Sequence, residues 1–420
     1  MIDKYYNGVI EQVVSGIGNV EHNSILVRYS NDFSIWDLES VNHYKDQSDI
    51  FFTCHEFSYN KIAEAYEPYL GLIRQMFHRY CSGTLEEFME ECDVYKLQRP
   101  VFESYFEKGF CERTEQILID EVEYEQERMC NSIVTMLQKL SEIRPVVIVL
   151  NRFQLASKST MQLTNSLLQV KNKNIGIVLG VNDVQSIPEF AHEEWDAICE
   201  SMDDRNMVYH IGNAGRNMEP DVMDYYSDYE SDDGYRKLNN LVYFLDFDQA
   251  NHHLSKIERR IKFDNFTISE KKHYQLLLLQ IMVSVLQRDI AKALESCEDL
   301  EKLQDQEKEG AFYYNFWMAT SYMYLGKLEE AMIYVQKAKE CGEALGDDFL
   351  VFRAELLKAQ NQMSGWCNIF FCAQDIEISD KLIEKLNAYH YKNHLAHIYI
   401  YAYDNKPEIV AKAYLSLIHI

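Results

Sequence analysis

The apolar run Val146–Leu150 constrains the fold of this chain more than any other segment. It reads Val-Val-Ile-Val-Leu, and β-branched side chains of this kind favour buried β-strands. Pro145 precedes the run and polar Asn151 follows it. Such a run is typical of a buried strand in an α/β domain. Three further segments predict companion strands: Ser24–Val27, Phe51–Glu56 and Asn174–Gly180.

The residues that follow the run carry a second signal. Gln154 and Ala156 come next at short spacing, and Ser157 and Ser159 open a predicted helix. This order resembles the second nucleotide-binding motif of STAND-class signalling ATPases, which are P-loop ATPases of the AAA type. In that family an apolar strand after Arg-Pro ends in two acids, followed by Gln, Trp, Ala-Asp and Ser-Ser. The resemblance covers roughly residues 8–215 and implies a P-loop NTPase-like α/β domain over residues 1–215, a parallel sheet with helices.

The two acid positions of that motif hold Asn151 and Arg152 here. In working relatives a carboxylate at this point holds Mg²⁺, and a neighbouring acid can polarise the attacking water. Asn151 offers only a neutral carbonyl oxygen, and Arg152 places a cation where the metal would lie. We therefore expect no metal and no catalytic residue at this strand.

The expected phosphate-binding loop is degenerate as well. The segment Arg28–Asp37 follows the first predicted strand but contains neither glycine nor lysine. Such a loop needs glycines so that its N–H groups can surround the phosphates, and a lysine to contact them. Ser34, Ile35 and Trp36 occupy the critical positions, with Ile35 near the place of the lysine and Trp36 too bulky for the Ser/Thr role. We expect no nucleotide cofactor.

Two later segments follow the family's order. Ala65–Arg74 resembles the segment in which an aromatic-Pro pair introduces a helix ending in Leu-Arg. Val181–Asp183 follows the fourth predicted strand and carries an acid where the family usually has an arginine.

An acidic, tyrosine-rich stretch at 216–238 separates this domain from the rest of the chain. Its core, Pro220–Gly234, lacks helical periodicity and ends in glycine. One interpretation is a solvated, partly disordered linker. The other is a docking segment for a basic partner.

Residues 239–420 predict an irregular helical solenoid similar to tetratricopeptide repeats (TPR-like). Leu325–Ala338 matches half of such a repeat, with Gly326 forming the turn between two helices and Tyr322 and Val335 filling the space between them. An apolar residue three positions before an alanine recurs in Phe247–Ala250, Ile290–Ala293, Leu328–Ala331 and less clearly in Ile409–Ala411. The alternative is an unrelated helical bundle.

A helical solenoid presents concave surfaces that bind peptides or domains. The candidate contact residues are Tyr314, Trp317 and Trp366, although such aromatic residues commonly belong to the core. His390, His394 and His397 lie four and three residues apart, but no carboxylate or cysteine stands at matching spacing. We therefore expect a protein or peptide partner and no metal site.

Composition restricts the other partners and the compartment. The net charge of −26 repels phosphate backbones and disfavours nucleic-acid binding. The start of the chain lacks the apolar core of a signal peptide, and no apolar run is long enough to span a membrane. The ten cysteines include no Cys-x-x-Cys pair. These features predict reduced thiols and a cytoplasmic location.

The order of the two domains resembles the N-terminal region of a group of bacterial diguanylate cyclases. Ser364–Cys372 and His394–Asp404 are similar to the repeat region of that group. In those proteins a C-terminal domain with a Gly-Gly-Asp/Glu-Glu-Phe signature makes cyclic di-GMP. This chain contains no such signature and ends in Leu415–Ile420 within a helical pattern, so we expect either a truncated chain or a missing output domain.

Three functions follow from these patterns. The one we favour is a non-catalytic cytoplasmic signalling module that binds a protein or a ligand. The second is the regulatory part of a diguanylate cyclase whose catalytic domain lies outside this chain. The third is a STAND-type ATPase that binds nucleotide through an atypical site.

Overall fold

The computed structural model describes residues 2–30, 34–45, 49–58, 61–96, 98–111, 122–182, 187–205, 207–211, 231–263, 267–364 and 411. The chain forms two compact units. Unit 1 comprises Met1–Val94, Phe102–Cys111 and Glu123–Gln249, and unit 2 comprises Tyr95–Val101, Glu112–Val122 and Ala250–Ile420.

Unit 1 contains a five-stranded sheet in which every pair of neighbouring strands is parallel. The strands are β1 (Asn23–Tyr29), β2 (Phe51–Glu56), β3 (Val146–Asn151), β4 (Ile175–Asn182) and β5 (Val208–Ile211). Their order across the sheet is β2-β3-β4-β1-β5. All residues of β3 and β4 are buried, as expected for central strands covered by helices on both faces. The α/β fold class and four predicted strands are confirmed.

Nine of the described helices belong wholly or mainly to unit 1. They are α1 (Ile2–Gly16), α2 (Glu39–Tyr44), α3 (Tyr69–Tyr80), α4 (Leu85–Glu91), α5 (Arg99–Lys108), α6 (Val122–Ile143), α7 (Lys158–Gln169), α8 (His192–Asp203) and α9 (Asp232–Tyr243). Side-chain caps explain several starts. Thr84 and Glu87 form a capping box at α4, and the hydroxyl of Ser157 accepts the Thr160 N–H at α7.

Helix α1 packs closely on the sheet because β4 contains glycines. A Cβ at Gly180 would overlap the Tyr6 hydroxyl and would lie 2.6 Å from Asn151 Oδ1. The absent side chain thus creates space for Tyr6 and Asn151 above the centre of the sheet.

The strand order places a crevice at the carboxyl ends of β1 and β4. The chain leaves β1 toward β2 at one edge of the sheet and leaves β4 toward β5 at the other. Because parallel crossovers are right-handed, these two connections lie on opposite faces, and ligands of such sheets bind at this switch point.

The last part of the predicted linker 216–238 is helical, because it belongs to α9. Residues 212–230 lie outside the described residues, but α9 begins at Asp232. Ser231 caps the helix by accepting the Gly234 N–H, and Asp232 and Asp233 lie in its first turn, where negative charge is favourable. Leu238 and Leu241 are fully buried, so an apolar face overrides the acidic composition.

The described helices that follow are α10 (Phe247–Phe263), α11 (Glu270–Leu286), α12 (Ile290–Glu301), α13 (Gly310–Tyr324), α14 (Leu328–Leu345) and α15 (Asp348–Ser364). From α11 onward each helix contacts the next one, and α13 also contacts α11 and α15. The predicted helical character of this region is confirmed. The motifs at Phe247, Ile290 and Leu328 each begin a helix, whereas Ile409–Ala411 lies outside the described residues apart from Ala411.

Four turns share one geometry, namely those from α9 to α10, α11 to α12, α13 to α14 and α14 to α15. Leu245, Arg288, Gly326 and Gly346 all have positive φ, between 64° and 72°. The N–H of the next residue donates to the carbonyl five positions back: Asp246 to Leu241, Asp289 to Ser284, Lys327 to Tyr322 and Asp347 to Gly342. This is the Schellman type of helix end. The predicted turn at Gly326 is confirmed.

Candidate functional site

The carboxyl ends of β1, β2, β3 and β4 bring together residues from the two segments whose sequences resemble nucleotide-binding motifs. Glu56 ends β2, and its register partner Asn151 ends β3. Tyr29 ends β1 opposite Asn182 of β4. This edge of the sheet is therefore the candidate site of unit 1.

The carboxylate of Glu56 is the centre of this site. Its Oε2 accepts the backbone N–H of Ile35 at 3.0 Å and the hydroxyl of Ser34 at 3.2 Å. Its Oε1 lies 3.0 Å from Nη1 of Arg152, and both side chains of this ion pair are largely buried. Backbone N–H, hydroxyl and guanidinium groups are donors that suit a phosphate, and here an internal carboxylate uses all three.

Local backbone geometry explains this arrangement. Ser34 caps a short 3₁₀ turn, Ile35–Asp37, and the Ile35 side chain is fully buried in a cluster that includes Leu38 and Val41. Burial of the side chain leaves the Ile35 N–H facing Glu56. Arg152 has φ of 55°, a left-handed conformation that turns the chain sharply after β3.

Asn151 is committed to the interior of the domain. It is fully buried, and its Oδ1 accepts the Tyr29 hydroxyl at 2.8 Å. The neighbouring Gln154 is also fully buried, and its Oε1 accepts the Asn182 N–H at 3.1 Å. Asn151 thus connects β3 to β1, and Gln154 connects the turn after β3 to β4.

Trp36 contacts this cluster through its backbone, whose N–H donates to the Ser34 hydroxyl at 3.4 Å. Its side chain is 48% exposed, and the Lys45 ammonium lies 5.7 Å from its ring centroid. Ser34, Ile35 and Arg152 do come together, because the Glu56 carboxylate joins the first two to Arg152. Glu56 was not among the predicted site residues, although its place at the end of a predicted strand was a usable signal.

A second polar cluster surrounds the N-terminus of α7. Hydroxyls of this helix hold the loop before α3: Ser157 donates to the Glu64 carbonyl at 2.8 Å and Thr160 to the Glu67 carbonyl at 3.1 Å. The Ser159 hydroxyl accepts the Tyr66 N–H at 3.2 Å. The Ser-Ser helix start expected from the sequence therefore anchors a neighbouring loop.

A small cavity of about 80 Å³ lies beside this cluster, lined among others by Lys158, Glu194, Asp246 and Asp248. Lys158 Nζ pairs with Asp248 at 2.6 Å and lies 3.7 Å from Glu194. Asp246 accepts the Ser159 N–H at 2.8 Å, and burial raises the pKa of its carboxyl. The Lys158–Asp248 ion pair and the hydrogen bond from Ser159 to Asp246 both stabilise the first turn of α7.

Burial shifts several ionisable groups near the loop. Burial raises the pKa of Glu64 to about 7, and the adjacent Glu67 adds to the shift. The pKa of Glu67 is also raised, mainly by burial. Burial lowers the pKa of His55 to about 4, which leaves its ring neutral 3.5 Å from Glu67.

In the second part of the chain, the structure contradicts the predicted partner contact at Trp317. Trp317 is only 6% exposed, because α13 is apolar on nearly all faces and is surrounded by its neighbours. It belongs to the core and not to a contact surface. Tyr314 is half-buried and meets the Tyr334 ring edge-on at 6.3 Å, while Trp366 lies outside the described residues.

No group of three or more metal-binding side chains occurs among the described residues. His390, His394 and His397 lie outside them. Among the helices that the structure describes, none is long and apolar enough to cross a membrane.

No protein-family model matches this sequence, and no curated protein matches it either.

Proposed function

We propose that this chain is a non-catalytic regulatory module that binds a protein partner or ligand through a P-loop ATPase-like domain and TPR-like repeats. The observation that carries the proposal is the Glu56 carboxylate, which takes the donors of Ser34, Ile35 and Arg152. An internal anion at this crevice competes with any phosphate.

Electrostatics supports the same conclusion. A triphosphate at the carboxyl ends of β1 and β4 would have to displace Glu56 from the Ile35 N–H. The displaced carboxylate would then lie beside the phosphates and repel them, and Arg152 would repel the accompanying Mg²⁺. Both changes disfavour the metal–nucleotide complex that hydrolysis requires.

The resemblance to TPR proteins is supported by a recurring unit. At three turns, the residue five positions after the positive-φ residue is a fully buried alanine, namely Ala250, Ala293 and Ala331. Small buried residues at the same place allow successive helices to pack closely. Repeats of this kind expose extended faces that bind other proteins.

A tyrosine cluster on α13 and α14 is our candidate for the partner surface. Tyr322 stacks on Tyr334 with ring centroids 5.6 Å apart, and Tyr314 contacts the same ring. The ammonium groups of Lys327 and Lys337 lie 5.6 and 5.0 Å from the centroids of the Tyr322 and Tyr334 rings. Tyrosines are enriched at protein interfaces because they combine a large apolar surface with a polar group.

Thermal unfolding with and without nucleotide tests the non-catalytic role. A ligand that binds the folded state at a hundred times its dissociation constant stabilises it by about 2.7 kcal/mol. We expect no change in Tm with millimolar MgATP or MgGTP, and no phosphate release. A clear rise in Tm together with phosphate release would overturn the proposal and favour the ATPase alternative.

A further inference from the structure

A groove of about 690 Å³ lies on unit 1 near the amino ends of β2 and β3, away from the candidate site at their carboxyl ends. It is formed by the end of α3, the loop Ser82–Thr84, helix α4 and the end of α6. Helix α6 ends at Ile143, shortly before β3 begins at Val146. Phe51 at the start of β2 contacts Tyr80 of α3, with ring centroids 6.2 Å apart. A cleft of this volume is large enough to bury a ligand.

The floor of the groove is apolar. Phe77 of α3 and Phe88 of α4 are both buried, and their ring centroids lie 5.1 Å apart. Tyr80 lines the groove as a half-buried ring, and Ile143 lines it at the end of α6, where it is 56% exposed. An exposed isoleucine beside aromatic rings gives the groove a contact surface for an apolar side chain.

The rim of the groove is acidic. Glu87 and Glu91 lie four residues apart on α4 and share one face of that helix, while Glu142 belongs to α6. The Glu87 carboxylate accepts the Thr84 N–H at 2.8 Å, which lowers the pKa of its carboxyl. Lys139 is the one cation among the described residues that line the groove. Within the part of the chain that the structure describes, Glu91 and Glu142 have no ion-pair partner, so their charges are available to a ligand.

These charges favour a positively charged occupant. The lining carries three carboxylates and one ammonium, and the whole chain has a net charge of −26. Two further cations, Arg79 and Arg144, lie 5.4 and 5.0 Å from the centroid of the Tyr80 ring, but neither lines the groove. The rim repels a phosphate or an acidic segment. Lysine and arginine side chains suit it better, because they bring opposite charge on an apolar stem.

We propose that this groove binds a short basic segment of a partner protein. An apolar side chain of the segment packs on Phe77 and Phe88, and flanking lysine or arginine side chains pair with Glu91 and Glu142. This site rests on the binding role proposed above and gives that role a partner of defined chemistry. It shares no residue with the tyrosine cluster of α13 and α14.

Fluorescence anisotropy of the full chain with a short fluorescein-labelled peptide of leucine and lysine tests this site. Glu91→Lys/Glu142→Lys reverses two exposed charges of the rim, and we expect it to weaken peptide binding at least about tenfold. The matched control is Glu86→Lys/Glu200→Lys, which changes the net charge equally at exposed positions outside the groove. It should weaken binding less than about threefold. Equal weakening in the two double variants would overturn the proposal.

The apolar floor is tested separately, which also keeps the proposal testable if the charge-reversal variant does not fold. Ile143→Ser changes an exposed residue of the groove, and we expect about threefold weaker peptide binding. A peptide with serine in place of leucine should bind the wild type at least about tenfold more weakly. Unchanged affinity in either case would overturn the proposal, because charge alone would then hold the peptide.

Phenethylamine distinguishes a peptide site from a site for small organic cations, since it combines an amine with an apolar ring but has no peptide backbone. We expect it to displace the labelled peptide only at concentrations at least about a hundredfold higher than the unlabelled peptide requires. Displacement at equal concentrations would overturn the proposal. ATP hydrolysis by the chain would refute the non-catalytic role without changing these peptide affinities, so a failure of either proposal can be told from a failure of the other.

Discussion

Arg152 Nη1 and Glu56 Oε1 lie 3.0 Å apart at the ends of two neighbouring parallel strands, β3 and β2. The sequence motif that this segment resembles would carry an acid at the Arg152 position. The ion pair therefore joins a residue of that segment to Glu56, which lies outside both motif-like segments. It explains how the buried donors of this site find an acceptor within the chain, although the site has neither the acids nor the lysine of the motifs that it resembles.

Removal of the cation should destabilise unit 1. In Arg152→Ala the buried Glu56 carboxylate loses its partner, and we expect a loss of about 1–3 kcal/mol in the free energy of unfolding. Urea denaturation measures the change. The double variant Arg152→Ala/Glu56→Gln should regain part of the loss, because no uncompensated charge remains. Additive effects of the two substitutions would argue against the pairing.

Gly180→Ala should be strongly destabilising. Its Cβ would collide with Tyr6 and would lie 2.6 Å from Asn151 Oδ1, so both side chains must move. We expect a loss of about 2–4 kcal/mol in unfolding experiments. Gly8→Ala is the matched control, since a Cβ at this α1 position meets nothing within 4 Å, and it should gain up to about 1 kcal/mol. Similar effects at both positions would contradict the packing described for α1.

The repeated turn predicts a preference at Arg288. This residue has φ of 64°, and its guanidinium lies 4.2 Å from the centroid of the Tyr324 ring. Arg288→Gly and Arg288→Ala both remove that contact, but only alanine keeps the left-handed strain. We expect the glycine variant to be more stable than the alanine variant by about 1 kcal/mol in urea denaturation. Equal stability would show that the turn does not hold this conformation in solution.

Acid should weaken the second part of the chain through His253. Burial lowers the pKa of this ring to about 3, compared with 6.5 when exposed. The unfolded state therefore binds a proton that the folded state excludes, so stability present above about pH 6.5 is lost as pH falls toward 3. We expect the wild type to lose about 1–2 kcal/mol between about pH 7 and about pH 5, and His253→Gln to lose less. The exposed control His43→Gln should behave like the wild type. If the free energy of unfolding depends on pH equally in the wild type and in His253→Gln, His253 is not the responsible group.

The strands could be predicted because burial on both faces leaves a continuous apolar signature. Val146–Leu150 and Asn174–Gly180 match β3 and β4 to within two residues at each end. The short edge strand β5 was missed because its residues Tyr209 and His210 are exposed, so its pattern resembles that of a loop.

The site could be predicted only in part. The motif positions identified Ser34, Ile35 and Arg152. Their common partner, Glu56, lies on another strand, and only the pairing of β2 with β3 brings it beside Arg152. The prediction that Trp317 contacts a partner was wrong, because apolar aromatic residues give the same sequence pattern in a core and on a contact surface. Only the packing of α13 among its neighbours distinguishes the two.

Whether Glu56 excludes nucleotide from this site can be tested by calorimetric titration of the full chain with ATP and GTP, with and without Mg²⁺. We expect no binding heat at about millimolar nucleotide, because Glu56 already uses the Ile35 N–H, the Ser34 hydroxyl and Arg152. Micromolar binding that requires Mg²⁺ would contradict it, since such binding needs Glu56 displaced and Arg152 removed from the metal position.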